Sequence, residues 1–125
     1  MLFRSDNGGG RKDYLLLQFS ESVVLDKAYL KSVLTDSDAT LWIGNAATNL
    51  TSLSDATLSS LGYLEQNSGG NADRTADVNA GNVAGNTIVI AAANNETTCN
   101  DNFNLSALDV YKLVTSGSKI GRAHV

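Results

Sequence analysis

Residues 6–19 constrain this chain most. They read Asp-Asn-Gly-Gly-Gly-Arg-Lys-Asp-Tyr-Leu-Leu-Leu-Gln-Phe, a polar glycine-rich loop running straight into an apolar segment. Gly8, Gly9 and Gly10 let the backbone fold back, because glycine reaches positive φ without a steric cost. In an extended chain, side chains alternate between faces, so Asp13, Leu15, Leu17 and Phe19 share one side while Leu16 sits among polar residues on the other. A strand that is apolar on both sides needs cover on both. The pattern therefore predicts a central strand at 14–19, bonded along both edges and buried between layers.

The rest of the chain reads as short strands separated by turn signals. Polar turns fall at 20–22, 26–27 and 35–38, with strands between them at 23–25 and 28–34. In the latter, Ala28, Leu30, Ser32 and Leu34 face one way and Tyr29, Lys31 and Val33 the other. The strand at 39–43 turns Leu41 and Ile43 inward and Trp42 to the opposite side. Further strands are expected at 62–66, 75–78, 87–92 and 103–111, the last with Phe103, Leu105, Ala107 and Asp109 on a single face. Strands recurring about every 8–12 residues indicate an all-β sandwich or barrel. One short helix is expected at 54–61, opened by Ser54 as a capping residue, closed by Gly62, and tied to the sheet through Leu53, Leu58 and Leu61.

At 125 residues the chain forms one domain. That domain is placed at 1–112, with 113–125 as a disordered tail. The final residues, Ile-Gly-Arg-Ala-His-Val, match what a common sequencing adapter encodes when read as coding DNA. They suggest a metagenomic fragment whose frame runs into adapter, so His124, the single histidine, is given no mechanistic role.

Composition narrows the function classes. A net charge of −4 and a pI near 4.7 give no attraction for nucleic acid or an anionic bilayer. Cys99 is the lone cysteine, which leaves no internal disulfide framework and no multi-cysteine metal site. No apolar run approaches the ~20 residues that span a bilayer, and 1–4 is too short for an export leader.

Calcium is the sharpest chemical candidate. Hard cations take six to eight oxygen ligands from carboxylates, amides and carbonyls. Asp6, Asn7 and Asp13 offer such oxygens near one end of the chain, and Asp101 and Asn102 near the other. First and last strands of a sandwich are often neighbours, so these groups can converge. Asp36 and Asp38 form a second acidic pair on a turn, where the alternative role is capping backbone N–H groups. Catalysis finds less support. Asp13, Glu21, Asp36, Asp38, Glu65 and Asp73 are available as acids, but no spacing selects a pair. Cys99 has no basic neighbours in sequence to lower its pKa. The expectation is a protein that is not an enzyme.

Two segments carry a family resemblance. Asp6-Asn7, Gly10 to Phe19, Val23-Val24-Leu25 and the Asp36-Ser37-Asp38 turn before Ala39-Thr40-Leu41 resemble the amino half of exosortase-sorted bacterial surface proteins of the PEP-CTERM type. Asp101-Asn102-Phe103-Asn104-Leu105-Ser106-Ala107-Leu108 is similar to their closing strand. The export leader and Pro-Glu-Pro sorting tail of that family are absent from this sequence. The resemblance implies an exported protein at the cell surface or in the matrix of a Gram-negative bacterium, with a two-layer, jelly-roll-like antiparallel β-sandwich and a structural or binding role. Jelly-roll faces bind sugars by stacking them on aromatic rings, which makes Trp42, Tyr29 and Tyr63 the candidate ligand-binding residues and extracellular polysaccharide the candidate partner, against the alternative that these rings are half-buried sheet residues serving core packing. A calcium-stabilised carbohydrate-binding module is the alternative function.

Overall fold

The computed structural model describes residues 3–6, 14–33, 36–47, 49–92, 102–116 and 119–124, with side chains for 14–33, 36–47, 49–92 and 103–112. In chain order the elements are β1 (Phe3–Asp6), β2 (Tyr14–Lys31), β3 (Ala39–Gly44), α1 (Asp55–Ser60), β4 (Tyr63–Asn67), β5 (Arg74–Asp77), β6 (Ala84–Ala92), β7 (Asn102–Ser116) and β8 (Lys119–His124). Among the described residues, eight strands against one six-residue helix place the chain in the all-β class. They form one eight-stranded antiparallel sheet in the order β1-β7-β2-β6-β3-β4, with β5 on β2 and β8 on β7. The sheet curls into a half-barrel.

The eighteen residues of β2 are the frame of that sheet. The turns expected at 20–22 and 26–27 are irregularities within this single strand. Pairing with β6 shifts register between Gln18 and Val23, and pairing with β7 shifts between Leu25 and Lys27. Neighbouring strands supply the backbone partners that a local turn would have provided, and bulges absorb the extra polar residues. Pairing with β7 shifts again between Tyr29 and Leu30, and the two shifts against β7 keep the core in phase. Leu25 lies opposite Val110, Ala28 opposite Leu108, and Leu30 opposite Leu105. The buried face of β2 thus changes parity across Asp26, and that of β7 across Ser106. The single-face alternation expected for Phe103, Leu105, Ala107 and Asp109 is corrected accordingly. Phe103 and Leu105 face the core and are followed by Leu108 and Val110, while Ala107 is exposed.

Both faces of the sheet are covered by apolar residues. Leu41, Ile43, Ile88 and Ile90 belong to one cluster, joined by Leu15, Leu17 and Phe19 from β2. Trp42, Val89 and Ala91 belong to the other, joined by Tyr14 and Leu16. The larger cluster also contains Phe103 and Leu105 of β7, which is separated from β3 by two strands, β2 and β6, in the sheet order. Only the inside of a curl brings those strands within reach. Each fully buried Leu, Ile or Val here contributes ~1.5–3 kcal/mol relative to exposure.

The stretch 14–19 serves both clusters, as its two-sided pattern predicts, but it is half-buried. Its ladder runs to β6 alone, from Ala91 to Thr87, and β7 joins the other edge only from Val24 onward. Two-edged pairing occurs further along, where Lys27, Ala28, Tyr29 and Leu30 have β5 on one side and β7 on the other. The bulge after Gln18 diverts β2 at the level where β7 turns to pair with β8. Residues 113–116 and 119–124, assigned to a tail from sequence, run as strand backbone in β7 and β8.

Helix α1 covers the outer cluster. Ser54 caps it, accepting from Thr57 N at 3.1 Å. Gly62 follows the last turn at φ 93°, a conformation open to glycine. Leu58 and Leu61 are buried against Trp42, with Leu53 beside them. The helix end sits so close to β3 that a Cβ on Gly44 would run into the backbone carbonyl of Leu61. The loop between β3 and α1 is pinned by amides: Gln18 Nε2 donates to Ala47 O, and Gln18 Oε1 accepts from Leu50 N. Asn86 exchanges a bond with each backbone group of Ala46.

Candidate functional site

Strand β4 ends the sheet path, and β5 lies beyond it without a backbone ladder between the two. Side chains close the seam instead. On β4, Tyr63, Glu65 and Asn67 alternate onto the inner face, at i, i+2 and i+4. The Glu65 carboxylate accepts from Tyr63 OH at 2.5 Å, Asn67 Nδ2 at 2.8 Å and Asn79 N at 2.8 Å. Asn67 Nδ2 also donates across the seam to Asp77 O at 3.0 Å. Burial and the adjacent Glu65 carboxylate push the Tyr63 hydroxyl up to about 12.

Arg74, at the start of β5, completes the seam. Its guanidinium donates through Nη1 to Asn67 Oδ1, through Nη2 to the carbonyls of Asn67 and Ser37, and through Nε to Ser37 Oγ. The planar fork suits such convergent acceptors. Burial pushes its pKa down, while Asp38 and Asp36 push it back up. The acidic turn proposed from sequence as a second cation site thus faces a cation supplied by the chain. Asp36 Oδ1 accepts from Ser37 N, and Asp38 Oδ1 accepts from Gly69 N, which is the turn-capping chemistry of short acidic side chains.

Asn79 anchors the far end. It is buried at φ 58°, donates from Nδ2 to Leu25 O and Val83 O, and accepts at Oδ1 from Val83 N. Asparagine tolerates this left-handed conformation better than most residues. None of Arg74, Asn67 and Asn79 was singled out from sequence. The polar alternation Tyr63-x-Glu65-x-Asn67 is the signal that could have found this face, but nothing local links it to Arg74.

The calcium candidates divide by where they lie. Asn7, Asp13 and Asp101 are outside the described residues. The backbone of Asp6 lies directly opposite that of Asn102, because β1 pairs antiparallel with the start of β7. That contact comes from β1, a strand the sequence pattern did not indicate, whereas the expected first strand at 14–19 runs beside β6 and not β7. Among the described residues no group of three or more His, Cys, Asp or Glu side chains is placed to hold a metal ion.

Of the aromatic candidates, Trp42 and Tyr63 turn to opposite faces of the sheet, Trp42 into the outer cluster and Tyr63 against the inner one, though both residues border one cleft. Both line a cleft of about 220 Å³ between α1 and β4, with Leu58, Ser59, Gly62 and Leu64. Trp42 is only 5% exposed, and its ring tilts at 50° to that of Tyr14 with centroids 5.8 Å apart. Leu64 beside it is 57% exposed. Tyr29 is elsewhere, its hydroxyl donating to Asp109 Oδ2 at 2.8 Å.

The remaining acids have structural partners. Glu21 pairs with Lys112 at 3.0 Å across the divergence of β2 and β7, and Asp73 Oδ1 accepts from Val33 N. Cys99 lies outside the described residues, and His124 is placed by its backbone, opposite Tyr111 in β8. No helix of the described residues is long and apolar enough to cross a membrane. Comparison of the chain with family models, curated proteins and solved structures returns no match.

Proposed function

We propose that this chain is a non-catalytic structural or binding module of an exported bacterial surface or matrix protein, of the PEP-CTERM type its terminal segments resemble. One observation carries the reading: among the described residues, four of the candidate acids, Asp36, Asp38, Glu65 and Asp73, take part in hydrogen bonds that hold the fold together. Glu65 accepts three hydrogen bonds at the seam, and Asp36, Asp38 and Asp73 each accept from a backbone N–H. A general acid or base needs a carboxylate free to meet substrate, and this chain uses those carboxylates as braces. The curled sheet, whose inner cluster joins β3 to β7, is in keeping with a jelly-roll-like sandwich. Recovering the full gene and fractionating cells that express it tests the reading. The expected result is a leader, a sorting tail and surface localisation. Turnover of a polysaccharide that is lost in Glu65→Gln would overturn the non-catalytic role.

A calcium-stabilised carbohydrate-binding module is the second reading. It is favoured by the register that sets Asp6 opposite Asn102, and by the cleft beside Trp42. An ion bound only by the native state raises its stability by mass action. Melting with and without a chelator checks this, and an unchanged Tm removes calcium.

A further inference from the structure

We propose that the cleft between α1 and β4 is a subsite for one neutral hexopyranose ring of a polysaccharide, an inference that rests on the carbohydrate-binding reading above. Size comes first. A cleft of about 220 Å³ exceeds the ~150 Å³ cavity that admits a benzene ring, and falls short of the ~300–1,000 Å³ pockets of larger ligands. That volume is on the scale of one six-membered ring.

The lining specifies the chemistry of that ring. Trp42, Leu58 and Leu64 present apolar surface, while Ser59 brings a hydroxyl. Ser59 also lies in the last turn of α1, where helix carbonyls lack intrahelical donors and accept from outside. A pyranose matches this arrangement, with C–H groups on its faces and hydroxyl donors around its rim. No lining residue carries a charge at neutral pH, and the chain as a whole is at −4. A uronic acid would therefore meet no compensating cation and a repelling field. Trp42 forms the floor rather than an open stacking platform, and the exposed Leu64, opposite it in the β3–β4 register, forms the wall.

The test is a titration of the full chain with methyl glucoside, methyl galactoside and methyl mannoside, and with methyl glucuronoside as the charged control. It is followed by NMR shifts of the Trp42 indole and the Leu64 methyls. Saturable shifts with at least one neutral hexoside are expected. Ser59→Trp, which fills the cleft, should weaken binding by about tenfold or more. Leu64→Ala, at an exposed position that puts folding at little risk, should weaken it several-fold. Gly81→Ala, outside the cleft and in open space, should leave it unchanged. Binding that survives both cleft substitutions would move the sugar elsewhere and overturn the subsite, leaving the carbohydrate reading in place. Equal affinity for the glucuronoside would overturn its neutrality. Absence of shifts with every hexoside would end the subsite, whereas failure of the wider reading is seen separately, as no retention on insoluble polysaccharides.

Discussion

The Nη2 of Arg74 donates to the backbone carbonyl of Asn67 at 3.1 Å, so a side chain supplies the bond that a ladder between β4 and β5 would otherwise make. The same guanidinium reaches Ser37 and the Asn67 side chain, which ties the acidic turn, β4 and β5 into one unit. Arg74→Lys retains the charge but not the fork, and is expected to cost ~1–3 kcal/mol. Arg74→Ala removes both and should cost ~2–4 kcal/mol. Urea midpoints at constant m-value measure the difference. Equal stability of all three proteins would show that the seam closes without the guanidinium.

Asn79 separates conformational from hydrogen-bond contributions. Asn79→Gly keeps the left-handed backbone accessible but removes the side-chain bonds to Leu25, Val83 and the Val83 amide. Asn79→Ala removes those bonds and strains the backbone as well. The glycine variant is expected to lose ~2–3 kcal/mol through unsatisfied buried groups, and the alanine variant ~1 kcal/mol more. Thermal unfolding of the pair reads the gap directly.

Gly44 and Gly85 mark close backbone approaches. A Cβ on Gly85 would meet the backbone of Gly44, and one on Gly44 would meet the carbonyl of Leu61, so neither clash can be relieved by a side-chain rotation. Each alanine substitution should destabilise by ~2–4 kcal/mol. Gly81 has nothing within 4 Å of its Cβ position. Gly81→Ala is therefore expected to stay within about 0.5 kcal/mol of the parent.

Alkaline pH tests the bond between Tyr63 and Glu65. The Tyr63 pKa is raised in the folded chain to about 12 from 10.0, so the folded state holds this proton more tightly than the unfolded state does. The associated stability is complete below pH 10 and is lost as the pH rises toward 12. Spectrophotometric titration should show Tyr63 ionising late, and Tyr63→Phe should remove that late component and flatten the fall in stability. A wild-type titration with every tyrosine ionising near 10 would refute the assignment.

Much of the fold was legible from local pattern. The opposite facing of Trp42 against Leu41 and Ile43, the capped helix after Ser54, and the apolar strand at 87–92 all follow from side-chain period and capping chemistry, which neighbouring residues suffice to express. The candidate site was legible only in pieces. Trp42 and Tyr63 were named as aromatics, but their shared cleft needs α1 laid across β3 and β4. The acidic turn was visible, while the guanidinium that faces it comes from 36 positions beyond Asp38 and gives no local sign.

The amino-acid sequence alone determined an all-β chain with one short capped helix and a β2 start that feeds apolar side chains to both faces, because alternation and capping are short-range properties. The tertiary structure decided that β2 runs unbroken through two apparent turns, that β7 changes its buried face at Ser106, and that a curled sheet closes through Glu65, Asn67 and Arg74. Those outcomes rest on which distant strand supplies each backbone partner. Register between distant strands is set by the whole sheet at once, and no single stretch of the chain contains it.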